Sequence, residues 1–73
     1  MTQLISKPTA GQRSMERRML PSEADRLAAM YRANPGASHF RSVSEFTGKE
    51  RIIVREDALY ILGVRGYLRE VAA

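Results

Sequence analysis

The clearest hydrophobic pattern of the chain lies in residues 22–33. Apolar side chains recur there with the i, i+3, i+4, i+7 spacing of a single helix face, at Ala24, Leu27, Ala28 and Tyr31. Ser22 precedes this stripe as a candidate N-cap, and Asp25 follows three residues later as a variant capping box. Asn34-Pro35-Gly36 closes the pattern, because the residue before proline avoids the α region. The pattern therefore predicts a helix over residues 22–33.

A second pattern occupies residues 38–46. Phe40, Val43 and Phe46 follow one another at intervals of three, which favours a helix over the period of two of a half-buried strand. The start of this helix is left open between Ser38 and Ser42. Gly48 interrupts the pattern, since glycine readily adopts the positive φ of a tight corner.

The third apolar run begins at Ile52 and continues to Leu62. It predicts a helix over residues 50–62 that stops at Gly63 or Gly66. Residues 67–71 then alternate as a strand would.

Residues 42–55 also have an alternative interpretation. Ile52-Ile53-Val54 is a β-branched trio, typical of a strand. Residues 47–50 would then form the turn of a hairpin between strands at 42–46 and 51–55. The spacing of Phe40, Val43 and Phe46 favours the helices, and the hairpin stays open as the alternative.

The spacing of Ser44, Gly48 and Val54 matches a helix-turn-helix, in which a small residue, a turn glycine and a β-branched residue recur in that order. Together with Asn34-Pro35-Gly36, Ala58-Leu59 and residues 65–69, this stretch resembles the winged helix-turn-helix DNA-binding domain of small bacterial or phage transcriptional regulators. The resemblance implies a mainly α fold. It consists of a three-helix helix-turn-helix core with a short C-terminal β-strand, as in a truncated winged helix.

In such a domain the second helix of the motif enters the major groove of double-stranded DNA with its N-terminal residues toward the bases. The resemblance therefore assigns base contacts to Lys49, Glu50, Arg51 and Arg55. Phosphate contacts fall to the start of the preceding helix and to the region of the wing, at Ser38, Arg41, Ser42, Arg65 and Arg69. A two-fold operator would be bound by a homodimer.

The basic charge is concentrated near the N-terminus. The 73 residues carry a net charge of +4, of which residues 1–20 contribute +3 and residues 21–73 only +1. We therefore divide the chain into a basic N-terminal arm, 1–20, and a winged-helix-like domain, 21–73. The cations of the arm are expected to contact phosphates and are Lys7, Arg13, Arg17 and Arg18. Residues 13–20 could form a short helix or an extended segment, with Met15, Met19 and Leu20 touching the core or a partner.

The composition offers little for catalysis. The chain has one histidine, His39, and no cysteine, and its carboxylates show no ligand spacing. We therefore predict no enzyme, no catalytic residue, no metal and no cofactor. Without cysteine or a long apolar run, a cytoplasmic protein without a membrane segment is expected.

A second function class is a small protein-binding module, or a phage-type inhibitor that docks on a host protein. It is favoured by the nearly neutral charge of residues 21–73 and by the flexible Met15, Met19 and Met30. The open edge of the predicted terminal strand would also invite pairing with another chain.

The patterns also predict the core. Its most buried members should be Leu27, Tyr31, Phe40, Val43, Phe46, Val54, Leu59, Leu62 and Leu68. On this prediction Phe46→Ala would lower the free energy of unfolding by ~3–5 kcal/mol.

Overall fold

The computed structural model describes residues 8–68. They form a mixed α/β unit in which two helices precede a β-hairpin and a third helix follows it. The elements are α1 (Ala10–Arg18), α2 (Pro21–Ala33), β1 (His39–Val43), β2 (Glu50–Val54) and α3 (Arg55–Val64). Within residues 8–68, no helix has both the length and the apolar character needed to cross a membrane.

Helix α1 occupies part of the predicted basic arm. Thr9 caps it, with the Thr9 hydroxyl accepting from the Gln12 amide (3.0 Å) and the Gln12 side chain accepting from the Thr9 amide (2.9 Å). Residues 10–12, expected in the arm, therefore belong to a helix, and Gln12 is buried. Of the two alternatives left open for the residues that follow, the helix is the one observed, and Met19 is buried behind it.

Helix α2 confirms the predicted apolar stripe. Ala24, Leu27 and Ala28 are buried along one face. The helix begins at Pro21 with Leu20 as its N-cap, two residues before the predicted N-cap Ser22, because proline suits the first helical position. The predicted cap of Ser22 with Asp25 is wrong, because Glu23 caps the helix instead: its Oε1 accepts from the Leu20 amide at 3.0 Å.

The predicted helix-turn-helix is wrong for residues 39–54, which form an antiparallel hairpin. The alternative prediction of a hairpin is confirmed, although β1 begins three residues and β2 one residue earlier than expected. Phe40 pairs with Ile53, and both are buried on the inner face. The spacing of three between Phe40 and Val43 misled the prediction, because a strand places these two residues on opposite faces.

The hairpin turn is closed by its own hydrogen bonds. The Ser44 amide donates to the Lys49 carbonyl (2.9 Å), and the Gly48 amide donates to the Ser44 carbonyl (2.7 Å). The Ser44 hydroxyl accepts from the amides of Phe46 and Thr47 at 3.2 and 3.3 Å. Gly48 has a φ of +77°, so glycine is required there, as predicted, although it turns a hairpin and not a helix pair.

Helix α3 begins at Arg55 and not at residue 50, because the residues before it are committed to β2. Gly66, with a φ of +85°, lies just beyond its end, and the Tyr67 amide donates to the Leu62 carbonyl at 2.8 Å. The predicted strand at 67–71 is not formed at Tyr67 and Leu68, and residues 69–71 lie outside the described residues. The Tyr67 hydroxyl instead donates to the Asp25 carboxylate on α2, which raises the pKa of Tyr67.

The core lies between the helices and the inner face of the hairpin. Its buried apolar members are Met19, Ala24, Leu27, Ala28, Phe40, Ile53, Ala58, Ile61 and Leu62. Leu27, Phe40 and Leu62 were predicted correctly, and Tyr31, Leu59 and Leu68 are half-buried. The Tyr31 and Phe40 rings pack at a tilt, with centroids 6.2 Å apart.

Three predicted core residues are exposed. Val43 and Val54 lie on the outer face of the hairpin, and Phe46 lies in its turn. The predicted loss of ~3–5 kcal/mol for Phe46→Ala assumed a buried ring, and this assumption is wrong because Phe46 is 64% exposed.

Candidate nucleic-acid interface

An open cleft of about 730 Å³ lies between the C-terminal end of α1 and the turn of the hairpin. We call it the basic cleft. It is lined by Arg17, Arg18, Ser44, Phe46, Thr47, Lys49, Glu50 and Arg51. Two segments far apart in the sequence thus share one concave surface.

The charge of the basic cleft is strongly positive. Four of its side chains are cationic, namely Arg17, Arg18, Lys49 and Arg51, against the single carboxylate of Glu50. Glu50 is itself 3.8 Å from the Arg41 guanidinium, a contact on the outer face of the hairpin. The ion pairs formed within residues 8–68 engage Arg26, Arg41 and Arg65, so none of the four cleft cations is ion-paired there. Such a concentration of one sign attracts anions.

Arg51 contributes a buried polar atom without a hydrogen-bond partner to the cleft. Its Nε is buried, and among the described residues no acceptor is bonded to it. Because a buried donor without a partner costs free energy, this site favours an added acceptor. An anion that reaches the half-buried guanidinium would supply one.

Phe46 stands beside these cations. Its side chain is 64% exposed, although its backbone is held by the hydrogen bond to the Ser44 hydroxyl. The basic cleft therefore combines fixed positive charge with an exposed aromatic ring.

The turn is fastened to α2 through two carboxylates. Glu45 accepts from the Ser22 hydroxyl (2.7 Å) and from the Arg26 guanidinium, while its amide donates to the buried Glu23 carboxylate. The hydrogen bond from Ser22, followed by that from Arg26, lowers the pKa of Glu45. Ser22 is thus not the N-cap that we predicted, since its hydroxyl binds Glu45. This attachment fixes the position of the turn relative to the helices.

The structure brings two predicted sets of residues together. Arg17 and Arg18, assigned to the arm, face the same cleft as Lys49, Glu50 and Arg51, assigned to a recognition helix. Phe46 was missed as a site residue because the sequence pattern placed it in the core. Its position two residues before a turn glycine was the available signal.

Other predicted contacts lie elsewhere. Ser38 is exposed just before β1, and Arg41 is exposed on the outer face of that strand. Ser42 is buried on the inner face of β1, and Arg13 is exposed on α1. Arg55 begins α3 and donates from Nε to the Pro35 carbonyl at 3.1 Å, away from the cleft lining. Lys7 and Arg69 lie outside the described residues.

The Arg65 side chain bonds to the C-terminal end of α1. Its Nε donates to the Glu16 carboxylate at 2.8 Å, and its Nη2 donates to the carbonyls of Glu16 and Met19, both at 2.6 Å. The side chain is only 19% exposed. A guanidinium engaged in this way is not available to a phosphate, and the predicted backbone contact at Arg65 is therefore not supported by its surroundings.

The single histidine is exposed on β1, with its Nδ1 3.0 Å from the Ser38 hydroxyl. In the part of the chain that the structure covers, residues 8–68, no three His, Asp or Glu side chains are grouped so as to hold a metal ion.

Comparison with known proteins gives no relative: the chain matches no family model, no curated protein and no solved structure.

Proposed function

We propose that this domain binds nucleic acid, with the phosphate backbone held in the basic cleft. Arg17 and Arg18 contribute from α1, and Lys49 and Arg51 contribute from the hairpin. Lysine and arginine bind phosphates by direct contact and by releasing condensed counterions.

One observation carries this proposal: four cations converge on one cleft while the ion pairs of residues 8–68 form elsewhere. None of these four cations has a carboxylate partner among residues 8–68, and a polyanion would supply several anionic partners at once.

Binding of a groove by a recognition helix is not proposed, because Glu50 and Arg51 belong to β2 and α3 begins only at Arg55. The role of a small bacterial or phage transcriptional regulator on double-stranded DNA stays a prediction. It requires sequence-specific binding, which phosphate contacts alone do not provide.

The salt dependence of binding tests the proposal. Fluorescence anisotropy with a labelled oligonucleotide, repeated over a series of salt concentrations, gives the slope of log K against log salt. The double variant Arg17→Ala/Arg18→Ala should bind more weakly and should lose about one unit of slope for each phosphate contact removed.

The matched control is Arg32→Ala, since Arg32 is exposed on α2 and does not line the cleft. It should leave the slope within error of the parent. If both variants behave alike, or if the parent binds no oligonucleotide at low ionic strength, the basic cleft is not a nucleic-acid site.

A second candidate is protein docking on the outer face of the hairpin, which includes the predicted homodimer. This face carries Val43, Ile52 and Val54, which are 47%, 51% and 47% exposed. Three β-branched apolar side chains on one sheet face form a surface that a partner would bury.

Sedimentation velocity tests this second candidate. Ile52→Thr should weaken self-association, whereas Val64→Thr should not, because Val64 is similarly exposed (55%) but lies on α3. If the parent protein sediments as a monomer at every concentration, the predicted homodimer is wrong. A pull-down would then test whether a host protein binds this face.

A further inference from the structure

We infer that the ligand of the basic cleft is a single-stranded nucleic acid with one base stacked on Phe46. This inference rests on the proposed function and adds to it the class of ligand. It follows from the exposed ring of Phe46, from the hydrogen bonds that fix the turn around this ring, and from the inaccessibility of base faces in a duplex.

The turn presents an aromatic face among cations. Phe46 is 64% exposed, so its ring contributes little to the core. It lines the same cleft as Arg17, Arg18, Lys49 and Arg51. A positively charged groove with an aromatic ring is the combination by which proteins bind single strands, because the cations track the backbone while the ring stacks on a base.

The ring is presented by a closed turn. Hydrogen bonds within residues 44–49 fix the backbone on both sides of Phe46, and Glu45 next to it is attached to α2 through Glu23 and Ser22. A side chain on a fixed backbone loses less conformational freedom when it stacks. The position is therefore suited to stacking before any ligand arrives.

A duplex cannot offer the matching surface. Its bases are stacked on one another, and only their edges are accessible in the grooves. The faces of bases become available in single strands, where they can be splayed onto an aromatic ring. The buried Arg51 Nε, which has no acceptor among the described residues, would at the same time donate to a phosphate or base oxygen.

The experiment compares an oligo(dT) strand with a duplex of the same length by fluorescence anisotropy at low ionic strength. The parent should bind the single strand more tightly than the duplex. Phe46→Ala should weaken single-strand binding by between about 5-fold and about 150-fold, the range found for removing one stacked aromatic. Phe46→Tyr, which keeps a ring, should retain most of the affinity.

Inorganic polyphosphate serves as the control ligand, because it has the charge of a backbone and no bases. Phe46→Ala should bind it as the parent does, which would separate stacking from charge. A thermal melt followed by circular dichroism should give the same midpoint for both proteins, since the side chain is exposed.

The outcomes distinguish the two proposals. If the parent binds no oligonucleotide at low ionic strength, the proposed function fails, whether or not it binds polyphosphate. If it binds oligonucleotides and Phe46→Ala has no effect, the stacking inference fails while the proposed function stands. Tighter binding of the duplex with a strong effect of Phe46→Ala would also overturn the inference, since it would indicate a wedge inserted between base pairs.

Discussion

Replacement of Arg65 by alanine is expected to lower the free energy of unfolding by about 2–4 kcal/mol. Arg65 bonds to the Glu16 carboxylate and to two carbonyls at the end of α1, with a side chain that is 19% exposed. Alanine would leave the largely buried Glu16 carboxylate and the Met19 carbonyl without their donor, while the Glu16 carbonyl would keep only the Met19 amide, at 3.3 Å. The estimate lies below that for a fully buried pair because water still reaches part of this one.

Urea denaturation followed by circular dichroism measures the loss. Arg13→Ala is the control, since Arg13 is exposed on the same helix and donates a single bond to the Pro8 carbonyl (3.2 Å). It should change stability by no more than about 0.5 kcal/mol. Equal midpoints for the two variants would show that the Arg65 contacts do not hold α1 to the end of α3.

Leu27→Ala is expected to cost about 2–5 kcal/mol, the range for truncating a leucine in a core. Leu27 is fully buried on α2 and belongs to the main apolar cluster. The loss combines the transfer free energy of the removed atoms with the cavity they leave. In a domain of this size such a change removes much of the total stability.

Phe46→Ala is the contrasting variant in the same denaturation series. The larger side chain is lost there, yet stability should change by no more than about 0.5 kcal/mol because Phe46 is exposed. If Phe46→Ala proved the more damaging of the two, the ring would be buried in solution and the hairpin turn would be packed differently.

Helix α2 could be predicted because its pattern was long and its end was marked. Four apolar residues at helix spacing and the Asn34-Pro35 stop are local signals, and they do not depend on the rest of the fold. Its start could not be placed by the same means. Ser22 suits an N-cap, but its hydroxyl binds Glu45, which is 23 residues away.

The hairpin was predicted as helices because a stretch this short fits both the period of a helix and the period of a strand. Phe40 and Phe46 are six residues apart, which is compatible with a helix face and with one face of a strand. The strand ends at Val43, however, and Phe46 enters a turn. Ile52-Ile53-Val54 was the better signal, since three consecutive β-branched residues fit a strand with one side chain buried and its neighbours exposed.

The sequence predicted the cations of the cleft as two separate groups and did not predict that they converge. Composition singled out Arg17 and Arg18, and the supposed motif singled out Lys49 and Arg51. Their convergence depends on α1 packing against α3 and on the attachment of the turn to α2. These are contacts across the fold, and neither hydrophobic period nor charge count encodes them.

The docking of α1 on α3 has a consequence for the order in which the domain assembles. The side-chain amide of Gln12 donates to the Asp57 carboxylate across 45 residues of sequence, and the Arg65 guanidinium donates to the Glu16 carboxylate across 49. Contacts that close such long loops carry a larger chain-entropy cost than the contacts within α2 and the hairpin, so we expect them to form later. A chain in which these long-range contacts have not yet formed would carry the cleft cations without bringing them together.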